Sequence, residues 1–259
     1  MAIFLKPSTL SLRRLIIFLI GLLTLMIAPA MPIQHALAYN CENPYGHCYS
    51  INQWYSPTGY YSAAKTSISI SQLYSPGGSC PHINVEEWLS DAQNGHDYWV
   101  EAGLTSGNDC VGAYCPIQVC YFWEDERPGS TLIGHVMGAA QSNDYNNLAT
   151  FQIANAGSGT WSVNMWAPSQ HDSSSSTSNN MSPNNIQIGG EVEGTSGESA
   201  PYTSLTWNTY NTGSGYSYFT SDGNSPADQA PWSGGWGPAP SQTQGGGTAH
   251  WNVSCGCNG

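Results

Sequence analysis

The chain has 259 residues, of which only 8% are charged, and its 17 acidic residues outnumber five basic ones. Three of the five basic residues lie within the first 14 positions, so beyond them Lys65 and Arg127 alone oppose 17 acids, a formal balance of −15. Such a surface repels nucleic acid and anionic membranes, which argues against both as partners. It also suits acidic surroundings, where carboxylates protonate and self-repulsion falls.

In chain order, Lys6, Arg13 and Arg14 make a basic start, followed by an apolar run of 13 residues from Leu15 to Ile27. Ala36-Leu37-Ala38 supplies a small-residue cleavage site, with Ala28-Pro29-Ala30 as the alternative. Residues 1–38 therefore read as a secretory signal peptide, its apolar run being too short to span a bilayer. The expected location is extracellular, with no membrane attachment after cleavage. All eight cysteines follow this segment, and an even count in a secreted chain reads as disulfides. Local spacing suggests Cys41–Cys48 and a bridge within Cys110, Cys115 and Cys120. The spacings do not form two CxxC pairs and no histidine stands at ligand spacing, so a zinc site is not expected, nor any other metal or cofactor.

Tyr39 to Gly59 reads as an irregular, disulfide-stapled entry. Thr66 to Ser71 alternates polar and apolar residues, the pattern of a half-buried strand. Ser75-Pro76-Gly77-Gly78 is a turn, His82 to Leu89 holds a strand, and Asp91 to Gly95 turns the chain again. Tyr98 to Thr105 is a strand that carries Glu101. Ile117 to Trp123 is rich in β-branched and aromatic residues and predicts a strong strand. Leu148 to Ala154 and Trp161 to Trp166 are strands joined across Asn155-Ala156-Gly157-Ser158-Gly159, a hairpin-like connection. Ser169 to Asn185 is a Ser/Asn-rich run that reads as a loop. Ile186 to Val192 is a strand that carries Glu191, and Leu205 to Tyr210 is another. After Gly213 the composition turns to Gly, Ser, Pro and Trp, an extension expected to cover the sheet.

No stretch after the signal shows sustained helical periodicity. Many short strands between turn signals predict an all-β sandwich or barrel. The expected organisation is a signal peptide over 1–38, a β-sandwich over 39–213 and a C-terminal extension over 214–259.

The chemistry narrows by elimination. There is no G-x-S-x-G elbow, no H-E-x-x-H and no Walker loop, and the cysteines read as paired. His82, His96 and His135 are the histidines that could lie near a cleft. Glu124-Asp125-Glu126 reads as a solvated turn with Arg127 as its counter-charge. What remains is two carboxylates inside strands. Alternation puts Val100, Ala102 and Leu104 on one face and Trp99 and Glu101 on the other. It likewise separates Ile186, Ile188 and Val192 from Gln187, Glu191 and Glu193. A buried ionised carboxylate is costly without a partner, and two basic residues cannot serve many acids. Two carboxyl groups that share a proton meet that cost: one stays ionised and takes a proton from water, and the other stays protonated and donates one. Glu101 and Glu191 fit those roles, with Glu193 as the alternative on the same face.

Val100-Glu101-Ala102-Gly103 and Ile188-Gly189-Gly190-Glu191-Val192 resemble the two glutamate motifs of neprosin-type glutamic peptidases. More distantly the chain resembles the fungal glutamic peptidases. Tyr121-Phe122-Trp123 and Gly159-Thr160-Trp161-Ser162-Val163 match aromatic strands of the neprosin-type domain, and a group of small secreted bacterial proteins shares a similar Tyr-Phe-Trp strand. The resemblance runs from about Asn84 to Trp207, and with only about 45 residues between the expected signal and Asn84 no counterpart of the plant activation domain is expected. It implies a concanavalin-like antiparallel β-sandwich of jelly-roll type with seven or eight strands per layer. It also implies hydrolysis of a polypeptide substrate in acid by direct water attack, without metal or covalent intermediate. Glu101 and Glu191 would be the catalytic pair, and the chain would act as a monomer. Trp88, Trp99, Tyr121 and Trp123 are candidate cleft walls, each with ordinary sandwich core as its alternative. Two other readings stand beside the peptidase: a carbohydrate-binding sandwich with aromatics stacked on sugars, and a two-carboxylate glycoside hydrolase.

Overall fold

The chain folds into strands wherever β-branched and aromatic residues alternate with small polar ones, and in several places where they do not. The computed structural model describes residues 47–56, 59–75, 82–91, 98–108, 112–127, 132–193, 200–218, 227–228, 235–238 and 247–251. The signal peptide, the Cys41–Cys48 pairing, His96, Cys110 and much of the two turns at 75–78 and 91–95 lie outside the described residues. Among the described residues there is no helix. The strands are β1 (His47–Tyr55), β2 (Ala63–Ser69), β3 (His82–Asp91), β4 (Tyr98–Asn108), β5 (Tyr114–Glu126), β6 (Ile133–Ala139), β7 (Leu148–Gly157) and β8 (Thr160–Trp166). They continue with β9 (His171–Ser178), β10 (Asn185–Glu193), β11 (Ala200–Asn211), β12 (Tyr216–Tyr218), β13 (Ala227–Asp228), β14 (Gly235–Pro238) and β15 (Gly247–Trp251).

These strands make two sheets. One has seven strands in the order β13-β1-β10-β3-β4-β5-β6, and the other has eight along β14-β15-β11-β2-β7-β8-β9 and β12 beside β11. Each strand pairing is antiparallel. The sheets pack face to face over one apolar core. Ile83, Val85, Leu89, Val100, Ala102, Leu104, Tyr121, Trp123, Ile186, Ile188 and Val192 enter it from the seven-stranded sheet. Ala64, Ile68, Ala149, Phe151, Ile153, Trp161, Val163 and Met165 enter it from the other. The all-β, concanavalin-like sandwich is thus the observed architecture.

Two local features follow the sequence closely. The β7–β8 connection turns on Ser158 and Gly159, whose φ values of 55° and 73° are those of a two-residue hairpin turn. Cys115 and Cys120 form a disulfide with their Cα atoms 6.0 Å apart. They stand opposite Gly107 and Thr105 of β4, so the bridge pinches off the extra residues of β5 where the β4–β5 register shifts.

Three segments differ from expectation. Residues 47–55, read as irregular, form β1, and the Ser-rich run supplies most of β9, an edge strand paired with β8 alone. An edge strand needs backbone pairing on one side and little apolar patterning, which is why serines serve there. Among the described residues past Gly213, β12, β14 and β15 extend the eight-stranded sheet and β13 the other. The Gly-rich composition there hides these short strands. Glu124 and Asp125 also differ from the solvated turn expected of them. Both lie within β5 and are buried, and Asp125 accepts hydrogen bonds from Arg127 and from the Thr177 hydroxyl.

Candidate functional site

The face of the seven-stranded sheet turned away from the core is built from β10, β3, β4 and β5. Opposed residues in an antiparallel pair point to the same face. Glu86 of β3 stands between Gly189 of β10 and Gly103 of β4. Two residues further along, Glu191 stands opposite Asn84, and two residues in the other direction Glu101 stands opposite Trp88. Glu101 and Glu191 therefore sit on strands that do not pair with each other, on opposite diagonals of Glu86. The glycines on either side of Glu86 leave no side chains to separate the three.

The three carboxylates converge. One oxygen from each of Glu86, Glu101 and Glu191 lies within 4.8 Å of the others. All three side chains are buried, with Glu86 at 0%, Glu101 at 4% and Glu191 at 5% exposure. Neither Glu86 oxygen has a hydrogen-bond partner. Burial, and then the Glu101 charge beside it, push Glu86 well above the ordinary carboxylate range. Asn84 pulls weakly the other way without reaching hydrogen-bond geometry. His82, at the far end of the same face, places its Nε2 3.8 Å from a Glu191 oxygen. Glu124, opposite Glu101 on β5, adds a fourth buried acid to the face. The unpartnered Asn84 Oδ1 and Thr105 Oγ1 lie alongside.

Among the expected cleft walls, Trp88 and Trp99 share the face of Glu101 and flank it, Trp88 across the β3–β4 pair and Trp99 two residues before it. Tyr121 and Trp123 do not. They pair with Leu104 and Ala102, point into the core, and belong to its apolar cluster. Tyr121 lies 6.3 Å from the Phe151 ring of the opposite sheet, and Trp123 stacks on His135 at 4.3 Å. The side chains of β5 that do reach the carboxylate face are Phe122 and Glu124, in register with Gly103 and Glu101. Of the three histidines considered, His82 reaches the site and His135 does not.

Glu86 is the residue that sequence reasoning missed. It sits beside Glu87 in Val85-Glu86-Glu87-Trp88, and the two point to opposite faces. Glu87 enters the space between the sheets, where burial raises it well above the carboxylate range and Lys65 and the Ile153 backbone offset part of that rise. Alternation through Asn84, Glu86 and Trp88 was the available signal, because Trp88 was already placed near Glu101.

Chemically, the site holds several buried acids and one buried histidine on one sheet face. Three converging carboxylates need either protons or a hard cation to offset their repulsion. With protons, the cluster contains both a base and an acid within reach of one small group.

No protein-family model matches the sequence, and no curated protein matches it. The fold does have solved counterparts. A crystal structure of scytalido-glutamic peptidase with a peptide-based transition-state analogue superposes with a TM-score of 0.55 at 6% identity, over 80% of this chain and 100% of that one. A second structure of scytalido-glutamic peptidase, with a transition-state analogue inhibitor, gives 0.52 at 7% identity over the same shares. At such identities the likeness is one of fold: this chain has a glutamic-peptidase-like β-sandwich.

Proposed function

We propose that this protein is a secreted, acid-active endopeptidase in which Glu101 and Glu191 activate water for peptide-bond hydrolysis. The observation that carries the reading is the convergence of buried Glu101 and Glu191 oxygens within 4.8 Å on one sheet face. Oxygens this close suit two groups that share a proton directly or through one water. The scytalido-glutamic peptidase fold supports the same reading, as do the neprosin-type motifs around both glutamates.

In this mechanism the ionised carboxylate removes a proton from water as it attacks the scissile carbonyl carbon. The protonated carboxyl donates to the carbonyl oxygen and stabilises the tetrahedral intermediate. The proton taken from water then passes to the departing amine, the C–N bond breaks, and the proton on the former carbonyl oxygen returns to the second carboxyl. Trp88 and Trp99 wall the site beside Glu101. An extended substrate lies along the sheet face, and low pH keeps the single shared proton in place.

The test is cleavage of a denatured protein across the acidic range by the chain trimmed of residues 1–38. Glu101→Gln and Glu191→Gln should each reduce kcat by at least about 1,000-fold while the variants remain folded, as expected when a group that moves a proton is lost. If both variants cleave like the parent, the paired mechanism is wrong.

A further inference from the structure

We propose that Glu86 is a positioning residue of this site: it stands as a neutral carboxylic acid between Glu101 and Glu191 and joins the three into one proton-sharing unit. The inference rests on the reading above for its kinetic consequence, but its structural basis is independent. Glu86 is the central member of the cluster, one strand away from each of the other two. It is fully buried, and both its oxygens lack a hydrogen-bond partner. An ionised carboxylate in that setting would have no solvent and, apart from the Asn84 amide short of hydrogen-bond geometry, no donor. A protonated one has a use for its hydrogen, because Glu101 and Glu191 each present an oxygen within 4.8 Å.

The flanking glycines are the second support. Gly103 and Gly189 face Glu86 from both neighbouring strands. At Gly103 an added Cβ would lie 2.6 Å from the Glu86 Cα and Cβ and against the Val85 carbonyl oxygen. The backbone of β4 is thus drawn tightly onto β3 at Glu86, and the seat is shaped around that residue.

The groups that face Glu86 among the described residues are Glu101 on β4, Glu191 on β10, His82 on its own strand and Glu124 beyond Glu101 on β5. Three of these four are acids, so the surroundings favour a proton on Glu86 rather than a charge. With its proton in place, Glu86 is the donor for the carboxylate that serves as base once a side-chain shift closes the approach, now within 4.8 Å, to hydrogen-bond distance. It thereby fixes the orientation of that carboxylate and spares it a second negative neighbour. The proton is not consumed in the cycle, which distinguishes Glu86 from the pair.

The experiment compares Glu86→Gln with Glu86→Leu. Glutamine keeps the length, the neutrality and a hydrogen-bond donor, and leucine keeps the bulk alone. Glu86→Gln should cleave within about threefold of the parent with the same acidic pH profile. Glu86→Leu should lose about 10- to 100-fold in kcat with KM little changed, the factor one hydrogen bond to an ionised group is worth. Equal loss in both variants, or no loss in either, overturns the proposal. Infrared spectroscopy reads the proton without reference to activity. At neutral pH the parent should show a carbonyl band of a buried protonated carboxyl that Glu86→Gln removes, separate from the band that Glu87→Gln removes, and its absence overturns the proposal even in an active enzyme. If the band is present but the parent itself does not cleave, the peptidase reading fails and the proton assignment stands. If millimolar calcium abolishes the band and raises the parent's melting temperature but not that of Glu86→Gln, the cluster neutralises itself with a cation, and the proposal is wrong.

Discussion

Glu86 faces Gly103 across the β3–β4 ladder, at a point where no side chain fits between the strands. The same Gly103 lies two residues from Glu101, so one glycine fixes the seat of one acid and the approach of another.

Gly103→Ala should therefore do more than an ordinary glycine substitution. The atoms in its way are backbone, the Val85 oxygen and the Glu86 Cα, and neither can rotate aside. Relief requires β3 and β4 to separate in the middle of the sheet. The expected cost is about 1–3 kcal/mol of stability, together with loss of cleavage out of proportion to it, because Glu86 and Glu101 move apart. Thermal melts and kinetics on the same variant check both parts.

Stability should fall as pH rises from mild acid towards neutrality. Glu86 and Glu87 both hold their protons well above the ordinary value of 4.5 in the folded chain, through burial above all. Below that value both states are protonated and neither group contributes a pH dependence. Above it the unfolded chain releases protons that the folded chain keeps, so each group removes up to about 1.4 kcal/mol per pH unit until its folded value is passed. Glu86→Gln and Glu87→Gln should each flatten the dependence and raise the melting temperature near neutrality. Melting curves across pH measure this directly.

The contrast between these two glutamates shows what the sequence could and could not say. Alternation assigned Glu101 and Glu191 to faces correctly, because each strand has one plainly apolar side. β3 is less clear-cut: Ile83, Val85 and Leu89 share their face with Glu87, Trp88 lies on the other face with Asn84 and Glu86, and both faces are buried, so the pattern alone did not single out Glu86. β5 posed a different ambiguity. Its alternation separated Tyr121 and Trp123 from Phe122, but both faces carry aromatics, and only the partner strand decides which one meets the core. The sandwich itself was legible from its turns and β-branched runs. The edge strand β9 and the short strands beyond Gly213 were not, because backbone pairing holds them rather than a patterned face.

Trp88 and Trp123 offer a test of that division. Trp123→Ala empties a core position and should cost about 3–5 kcal/mol, with little change in KM for the fraction that folds. Trp88→Phe keeps an aromatic ring beside Glu101 and should leave the melting temperature within a few degrees. It should instead change kcat/KM on peptides by about 3- to 10-fold, the effect of altered packing on a bound chain. A reversed pattern would return Trp123 to the cleft and Trp88 to the core.

Asp144 should set the acid limit of the fold. It is buried beneath the turn after β6, where its carboxylate accepts from the Gln141 backbone at 2.7 Å, from the Ser169 backbone at 2.8 Å and from the Ser169 hydroxyl. Burial alone would raise its pKa, but these donors outweigh burial and lower it below 3.8. A depressed carboxylate gives stability that is present above its unfolded value and is lost as pH falls through its folded one. Asp144 thus opposes Glu86 and Glu87, and the balance places maximal stability in mild acid, between the two losses. Asp144→Ala should cost about 1–3 kcal/mol there by taking the carboxylate partner from the Gln141 and Ser169 backbone N–H groups, and should lessen the acid-side decline. If the variant's stability still falls from mild into strong acid as steeply as the parent's, Asp144 is not the group that holds the β6–β7 and β8–β9 turns together.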